Sequence, residues 1–164
     1  MPEDLPSARH GHSAILDTDR MWIFGGAGGN NGLNPSEDLL YYLDLSDLSD
    51  LRWIRVSTNT PSARFEHTAV VESGKMWIFG GHSGQRPSGA LNDLHYLDLE
   101  GQSWAAVPAR GDVPSPRYLH SAVSEARRMW IYGGRDETDL FEARNVFKRD
   151  LFVLLNNNGF YFNT

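Results

Sequence analysis

The sequence predicts an all-β fold made of three copies of one four-stranded antiparallel sheet. A first observation is the hexapeptide MWIFGG, which occupies 21–26 and 76–81 and returns as MWIYGG at 129–134. A second is a nonapeptide that precedes each copy: PSARHGHSA, PSARFEHTA and PSPRYLHSA begin at Pro6, Pro61 and Pro114. In each copy the arginine of the nonapeptide lies 16 residues before the first glycine of the pair. A repeat longer than about 20 residues indicates one supersecondary unit that is stacked several times.

Each repeat contains four short segments that we interpret as strands. The first is RHGHSAIL, RFEHTAVV or RYLHSAVS, and the second is the tryptophan segment that ends in Gly-Gly. The third and fourth are LYYLDL (40–45) and RWIRV (52–56), LHYLDL (94–99) and SWAAV (103–107), and LFVLL (151–155) and FYF (160–162). Aromatic and β-branched residues favour strands, whereas the Gly, Asp, Asn and Ser between them favour turns. No segment of helical period is long enough to compete.

Glycine pairs and tryptophans mark the structural positions of the repeat. We expect each pair to end a strand where a Cβ would obstruct the departing chain or the approach of neighbouring backbone. The tryptophans supply bulk for packing between sheets, because an apolar sheet cannot cover both of its faces alone. These residues are Gly25, Gly26, Gly80, Gly81, Gly133, Gly134, Trp22, Trp77, Trp130, Trp53 and Trp104.

The order of these features resembles the Kelch repeat, which forms one blade of a β-propeller. Each copy has an arginine, a histidine three residues later, an aromatic strand ending in Gly-Gly, a third strand and a fourth strand. The resemblance implies one partial β-propeller over 1–164, with three four-stranded antiparallel Kelch blades whose first strands are innermost. The expected blades are approximately 6–60, 61–113 and 114–162.

The third repeat departs from the pattern of the other two. Leu155 stands where Asp44 and Asp98 stand, and Tyr161 takes the position of Trp53 and Trp104. The outermost strand of the third blade is therefore the least well specified.

Three blades do not close a ring, because propellers contain about four to eight. Several hundred Å² of apolar sheet on each open flank would cost on the order of 10 kcal/mol, which is comparable to the stability of a domain. We therefore expect a fragment of a longer propeller, a half ring that pairs with a copy of itself, or a subunit of a larger assembly. The partners would be another protein chain or additional blades, with self-association through the open flanks as one form.

Composition limits the other partners. The 15 Lys and Arg against 21 Asp and Glu argue against nucleic-acid binding, which requires clustered cations. Residues 1–107 carry 7 basic and 14 acidic side chains, and 108–164 carry 8 and 7, a distribution typical of ordinary solvated surface. No apolar run approaches the ~20 residues of a membrane span, so we expect no membrane insertion. The absence of cysteine favours the cytoplasm or another reducing compartment.

No pattern in the sequence indicates catalysis, and we expect neither a cofactor nor a metal. His12, His67 and His120 occupy equivalent repeat positions, so packing and hydrogen bonding within the blades are the favoured interpretation over a shared metal. The chain lacks the cysteine that the copper site of galactose oxidase needs and the Glu-x3-Asp-x3-His iron motif of nitrile-specifier proteins. The glycine run at 25–32 leads into polar loop, without a helix to bind phosphate.

Loops on one face of the blades are the candidate binding surface, since loops on a rigid scaffold commonly carry function. They lie between the second and third strands at 27–38, 82–93 and 135–150, and between repeats at 57–63 and 108–116. In the Kelch fold both sets emerge on the same side. Their sequences differ while the strands repeat, as expected if the strands hold the fold and the loops select a partner.

Arginine and apolar side chains of these loops are the expected partner contacts. The residues are Arg86, His82, Arg135, Leu140, Phe141, Arg144 and Phe147. Arginine grips carboxylates in a bidentate manner, and the leucine and phenylalanines are more apolar than a solvated loop requires. Covering the edge of their own blade is the alternative role for the apolar residues. For the repeated Arg9, Arg64 and Arg117 the favoured alternative is an internal contact to backbone carbonyls.

These observations predict a noncatalytic Kelch-repeat module for protein interaction or assembly that uses loops on one propeller face. The alternative is part of a propeller enzyme whose catalytic groups lie outside this chain.

Overall fold

The first sheet shows how the repeat is built. A computed structural model describes residues 5–28, 34–35, 40–85, 89–108, 113–136, 151–155 and 159–162. In the first repeat the strands are β1 (Ser13–Asp17), β2 (Arg20–Phe24), β3 (Ala27–Gly28), β4 (Asn34–Pro35), β5 (Leu40–Asp44) and β6 (Arg52–Arg55). Four of them form an antiparallel meander in the order β1-β2-β5-β6, and β3 pairs with β4 separately.

The second and third sheets repeat this order. The second contains β7 (Thr68–Glu72), β8 (Lys75–His82), β9 (Ala90–Asp98) and β10 (Ser103–Val107). The third contains β11 (Ser121–Glu125), β12 (Arg128–Tyr132), β13 (Leu151–Leu155) and β14 (Gly159–Phe162). Both are sequential antiparallel meanders. The described ranges contain strands and turns without a helix, and hence nothing that could cross a membrane as an apolar helix.

The register of the first hairpin is the same in all three sheets. Ser13 pairs with Phe24, and at the equivalent positions Thr68 pairs with Phe79 and Ser121 with Tyr132. The weakly specified fourth strand of the third repeat forms as β14, which pairs with β13 from Phe152 opposite Phe162 to Leu155 opposite Gly159. The predicted all-β architecture of four-stranded antiparallel sheets is thus confirmed.

The first strand of each repeat starts later than the sequence predicts. The predicted segments began at the arginine, but β1, β7 and β11 begin one residue after the histidine. The residue before each histidine is left-handed, with φ of +63° at Gly11 and +56° at both Glu66 and Leu119. A left-handed residue interrupts extended backbone, so the arginine and the residue after it lie outside the strand.

The apolar core lies between the sheets. Ile15, Trp22, Phe24 and Leu40 of the first sheet pack against the second, where they meet Met76, Ile78, Leu97 and Leu99. Val70, Trp77, Phe79 and Leu94 of the second sheet pack in the same way against Met129 and Ile131 of the third. Stacking therefore buries the faces that a single sheet cannot cover.

The tryptophans occupy this intersheet space to different degrees. Trp22 and Trp77 are buried, and each ring lies 4.9 Å from a tyrosine of the next strand in its own sheet. Trp104 crosses to the first sheet, where its ring centroid is 4.9 Å from that of Phe24. Trp53 and Trp130 are only partly buried.

The glycine pairs are required by both backbone conformation and space. All six glycines have positive φ; two pairs follow the ends of β2 and β12 as predicted, but Gly80 and Gly81 lie inside β8. A Cβ on Gly25 would lie 2.4 Å from the carbonyl oxygen of Arg64 in the next sheet, and one on Gly80 would lie 2.7 Å from that of Arg117. Contact below 3 Å forces a shift, so these positions exclude a side chain. The second glycine of the pair is close to its own repeat instead, since a Cβ on Gly81 would lie 2.7 Å from the Cβ of His67.

The antiparallel meander places the carboxyl-terminal ends of the second and fourth strands of each sheet at one edge. We call this the loop edge. The short turns at 18–19, 73–74 and 126–127, between the first and second strands, lie at the opposite edge because successive strands run antiparallel.

Candidate partner-binding face

Only two of the seven predicted partner contacts lie within the described residues. His82 and Arg135 are among the described residues. Outside the described residues are Arg86, Leu140, Phe141, Arg144 and Phe147.

The repeated arginines are used inside the protein. Each guanidinium donates through Nη1 to the carbonyl of the first glycine of its own repeat, over 2.9 Å for Arg9, 3.1 Å for Arg64 and 2.9 Å for Arg117. Each Nε also donates to the carbonyl of the serine two residues earlier. The constant spacing of 16 residues therefore reflects a hydrogen bond that ties the loop edge to the end of the second strand. These arginines thus make the internal contact to backbone carbonyls that was their favoured alternative role.

The second repeat adds a carboxylate to this arrangement. Arg64, which is fully buried, donates to both carboxylate oxygens of Asp93 at 2.7 and 2.8 Å. His95 Nε2 lies 2.8 Å from Asp93 Oδ2. Burial opposes ionisation of Asp93, but the hydrogen bonds from His95 and Arg64 outweigh it and lower the pKa of the carboxyl. Asp93 therefore remains an anion that is already engaged by Arg64.

A row of rings crosses the loop edge from the first sheet to the third. We call it the aromatic row, and it consists of His10, Phe65, His82 and Tyr118. Its consecutive ring centroids are separated by 6.3, 5.2 and 5.2 Å. The guanidinium carbon of Arg135 lies 5.7 Å from the centroid of Tyr118, which is cation–π geometry. Thus the two described partner candidates, His82 and Arg135, are joined through Tyr118.

His82 is less available than its predicted position in a loop suggests. It ends β8, because β8 and β9 extend beyond their expected limits and leave a loop of only 83–89. The side chain is 8% exposed between Phe65 and Tyr118, and its Nδ1 accepts a hydrogen bond of 2.9 Å from the Gly84 N–H. In this position His82 supports the loop, while Tyr118 and Arg135 are partly exposed.

Three members of the row were not predicted from the sequence. His10, Phe65 and Tyr118 each directly follow a repeated arginine, and each belongs to a backbone pair across the loop edge: His10 with Ala27, Phe65 with His82, and Tyr118 with Arg135. The position after the arginine is a ring in every repeat, which is the signal that could have found them.

Two of the repeated histidines form hydrogen bonds between adjacent sheets, and the prediction that they bond within their own blade was wrong. His67 Nε2 lies 2.8 Å from Ser13 Oγ of the first sheet, and His120 Nε2 lies 2.7 Å from Thr68 Oγ1 of the second. Burial lowers the pKa of His67 to about 3, with a contribution from Arg64, and that of His120 to about 4. Within the described part of the chain, no group of three His, Asp or Glu side chains is arranged to hold a metal ion.

Three stacked four-stranded meanders, each with a glycine pair in or directly after its second strand, define a repeat protein of the β-propeller class. The chain belongs to the Kelch-repeat family, because the model of the KLHDC2/KLHL20/DRC7 Kelch-repeats domain matches residues 1–155. Kelch-repeat domains are generally protein-interaction modules.

Curated relatives carry the same repeat in longer chains. Kelch domain-containing protein 3 of Homo sapiens is 33% identical over 144 residues, which cover 86% of this chain and 36% of the relative. Host cell factor 2 of Homo sapiens is 38% identical over 148 residues, covering 81% of this chain and 18% of the relative. The chain thus spans about a third of the length of Kelch domain-containing protein 3.

Among solved structures, the chain is similar to the structure of YjhT. The TM-score is 0.70 at 17% sequence identity, and the match covers 99% of this chain and 52% of that one. At this identity the similarity supports the partial Kelch-type propeller fold alone.

Proposed function

We propose that this chain is a noncatalytic Kelch-repeat module that binds a partner protein through its loop edge. The observation that carries the proposal is the aromatic row with Arg135 at its end, which spans all three sheets on the edge from which the variable loops leave. A rigid scaffold that displays loops of different sequence is a common basis for selective binding. The family and its relatives support an interaction role.

The proposed contact surface combines cationic and apolar groups. Arg135 is partly exposed beside Tyr118, so a partner carboxylate could pair with the guanidinium while an apolar group packs on the ring. Arg86, Leu140, Phe141, Arg144 and Phe147 extend this surface in the proposal, and His82 supports it from below. Arg9, Arg64 and Arg117 are assigned to the scaffold, since they donate to glycine carbonyls.

Assembly is the second part of the proposal. The blades, proposed as approximately 6–60, 61–113 and 114–162, leave the outer faces of the first and third sheets for another chain, for additional blades or for self-association. Exposed apolar side chains on the first strands support this, since Leu16 is 59% and Val123 63% exposed. The proposed function involves no nucleic-acid binding, no membrane insertion and no cofactor. No group of side chains in the described residues favours the alternative, a part of a propeller enzyme.

Site-specific photo-crosslinking tests the loop edge. A photoreactive phenylalanine analogue in place of Tyr118, which keeps an aromatic ring beside Arg135, should capture a protein from a cell extract, and Arg135 should be needed for that capture. The control position is Ser73, an exposed residue in the turn at the opposite edge of the second sheet. Substitution Arg135→Ala should reduce capture at Tyr118 at least ~10-fold, as loss of a charge-assisted pair would. Equal capture from Ser73, or capture at Tyr118 that is unchanged by Arg135→Ala, would refute binding at the loop edge.

A further inference from the structure

The two intersheet contacts are held by the same three hydrogen bonds. Between the first and second sheets they are Gly26 N–H to Arg64 C=O at 2.9 Å, Glu66 N–H to Gly11 C=O at 2.7 Å, and the Ser13–His67 side-chain pair at 2.8 Å. Between the second and third they are Gly81 N–H to Arg117 C=O at 2.9 Å, Leu119 N–H to Glu66 C=O at 3.0 Å, and the Thr68–His120 pair at 2.7 Å. The stacking of this repeat therefore follows a fixed hydrogen-bond pattern.

The outer face of the third sheet carries one half of that pattern. The equivalent groups are the N–H of Gly134, the C=O of Leu119 and the hydroxyl of Ser121, which is exposed. Apolar side chains accompany them, since Val123 is 63% and Tyr132 55% exposed. The residues that match Val123 in the other repeats are buried, at 8% for Ile15 and 7% for Val70.

The outer face of the first sheet carries the other half. There the equivalent groups are the C=O of Arg9, the N–H of Gly11 and the imidazole of His12. His12 is exposed, whereas His67 and His120, which make the intersheet bonds, are each 6% exposed. Leu16, at 59% exposed, supplies apolar area on the same strand.

Charge at the hairpin turns is complementary between these two faces. The turn of the third sheet carries Arg127 and Arg128 with Glu125, a net charge of +1, and that of the first sheet carries Asp17 and Asp19 with Arg20, a net charge of −1. Turns of stacked sheets lie side by side, because Ser124 Oγ donates to the Val71 carbonyl at 2.9 Å, one residue from the end of each strand. Stacking the first sheet onto the third would thus bring a turn of net positive charge beside a turn of net negative charge.

We propose that the outer face of the third sheet docks onto the first sheet of a second copy of this chain, with His12 of one copy hydrogen-bonded to Ser121 of the other. This deepens the proposed assembly role and rests on it, by naming the occupant and the contact. Both halves of the pattern are present on one chain, so one copy supplies what the next requires. Such a head-to-tail contact produces a closed ring if its rotation closes and a linear polymer if it does not.

Sedimentation velocity over a wide range of protein concentration tests the contact. The unmodified chain should associate as its concentration rises, into either a dimer or a longer polymer. Val123→Asp should weaken this association at least ~100-fold, because it places a charge in the apolar centre of the contact. Leu48→Asp is the matched control, since Leu48 is 76% exposed in the segment between β5 and β6. At a concentration where all three chains are monomeric, the Trp fluorescence and circular dichroism of both variants should equal those of the unmodified chain.

A charge exchange makes the test independent of any single variant. Arg127→Glu with Arg128→Glu should weaken association ~10-fold, and so should Asp17→Lys with Asp19→Lys; mixing or combining the two reversals should restore it. A folded chain that stays monomeric throughout, association unaffected by Val123→Asp, or reversal without restoration would each overturn the proposal. Crosslinking at Tyr118 reports on the loop edge separately, so failure of one proposal is distinguishable from failure of the other.

Discussion

The closed contacts between sheets and the open outer faces present the same repeat positions in two environments. Val70 and Val123 occupy equivalent sites on β7 and β11, yet they are 7% and 63% exposed. His67 and His12 differ in the same way, one bonded to Ser13 and nearly buried, the other exposed. Equivalent positions in the three repeats therefore carry similar residues, and whether such a residue is buried depends on whether a neighbouring sheet covers it.

The largest expected effect comes from breaking a closed contact at its closest approach. Gly25→Ala places a Cβ 2.4 Å from the Arg64 carbonyl at a φ of +66°, so overpacking adds to backbone strain. We expect the free energy of unfolding to fall by about 4 kcal/mol. Gly74→Ala is the control, because its φ of +69° is similar but its Cβ would meet nothing within 4 Å; it should cost about 1 kcal/mol.

Urea denaturation of the two variants measures this difference. If both variants lost a similar free energy of unfolding, backbone strain would account for the whole effect, and the contact between the sheets at Gly25 would not restrict a side chain.

Acid should weaken the closed contacts next. Burial lowers the pKa of His67 to about 3 and of His120 to about 4, from an ordinary value of 6.5. Because the unfolded chain binds protons at a higher pH than the folded chain, stability falls as the pH drops through 6.5 and continues to fall toward the folded-state values. From pH 7 to 5.5 the loss should be just over 1 kcal/mol for each histidine, about 2.5 kcal/mol in total.

Glutamine substitutions distinguish the effect of a histidine between two sheets, His120, from that of a histidine on an outer face, His12. His120→Gln removes a titrating group while keeping an amide near Thr68 Oγ1, so the dependence of the unfolding free energy on pH should become shallower. His12→Gln on the open face should change it much less. The idea fails if His120→Gln leaves the pH dependence between 7 and 5.5 as steep as before. Asp93, whose pKa is lowered, loses its contribution only below its ordinary value of 3.8 and does not affect this window.

Much of the fold was predictable because its signals are local. Alternating aromatic and β-branched segments with turn residues between them identified the strands, and the repeat identified their stacking. The starts of the first strands were predicted too early, because Glu66 and Leu119 are left-handed although neither position is a glycine, the residue that usually indicates this conformation. Their φ is held by hydrogen bonds to another sheet, which no local pattern encodes.

The candidate site was less predictable, because its contacts join distant repeats. The Arg64 spacing was visible in the sequence, but its pairing with Asp93 depends on where β9 begins. His82 was placed in a loop since its strand character comes from pairing with Ala90 and Phe65. The aromatic row similarly requires adjacent sheets to bring Phe65 and Tyr118 to either side of one imidazole.

The smallest expected effect compares the two valines directly. Val70 packs with Met129 and Ile131 between sheets, so Val70→Ala removes about two methyl groups from a core and should cost about 2 kcal/mol. Val123→Ala should cost less than about 0.5 kcal/mol in the dilute chain, as exposed substitutions do. If a second copy covers the third sheet, the cost of Val123→Ala grows with protein concentration while that of Val70→Ala stays constant. Thermal unfolding at several concentrations measures both, and equal costs at the lowest concentration would mean that Val123 is already buried within one chain.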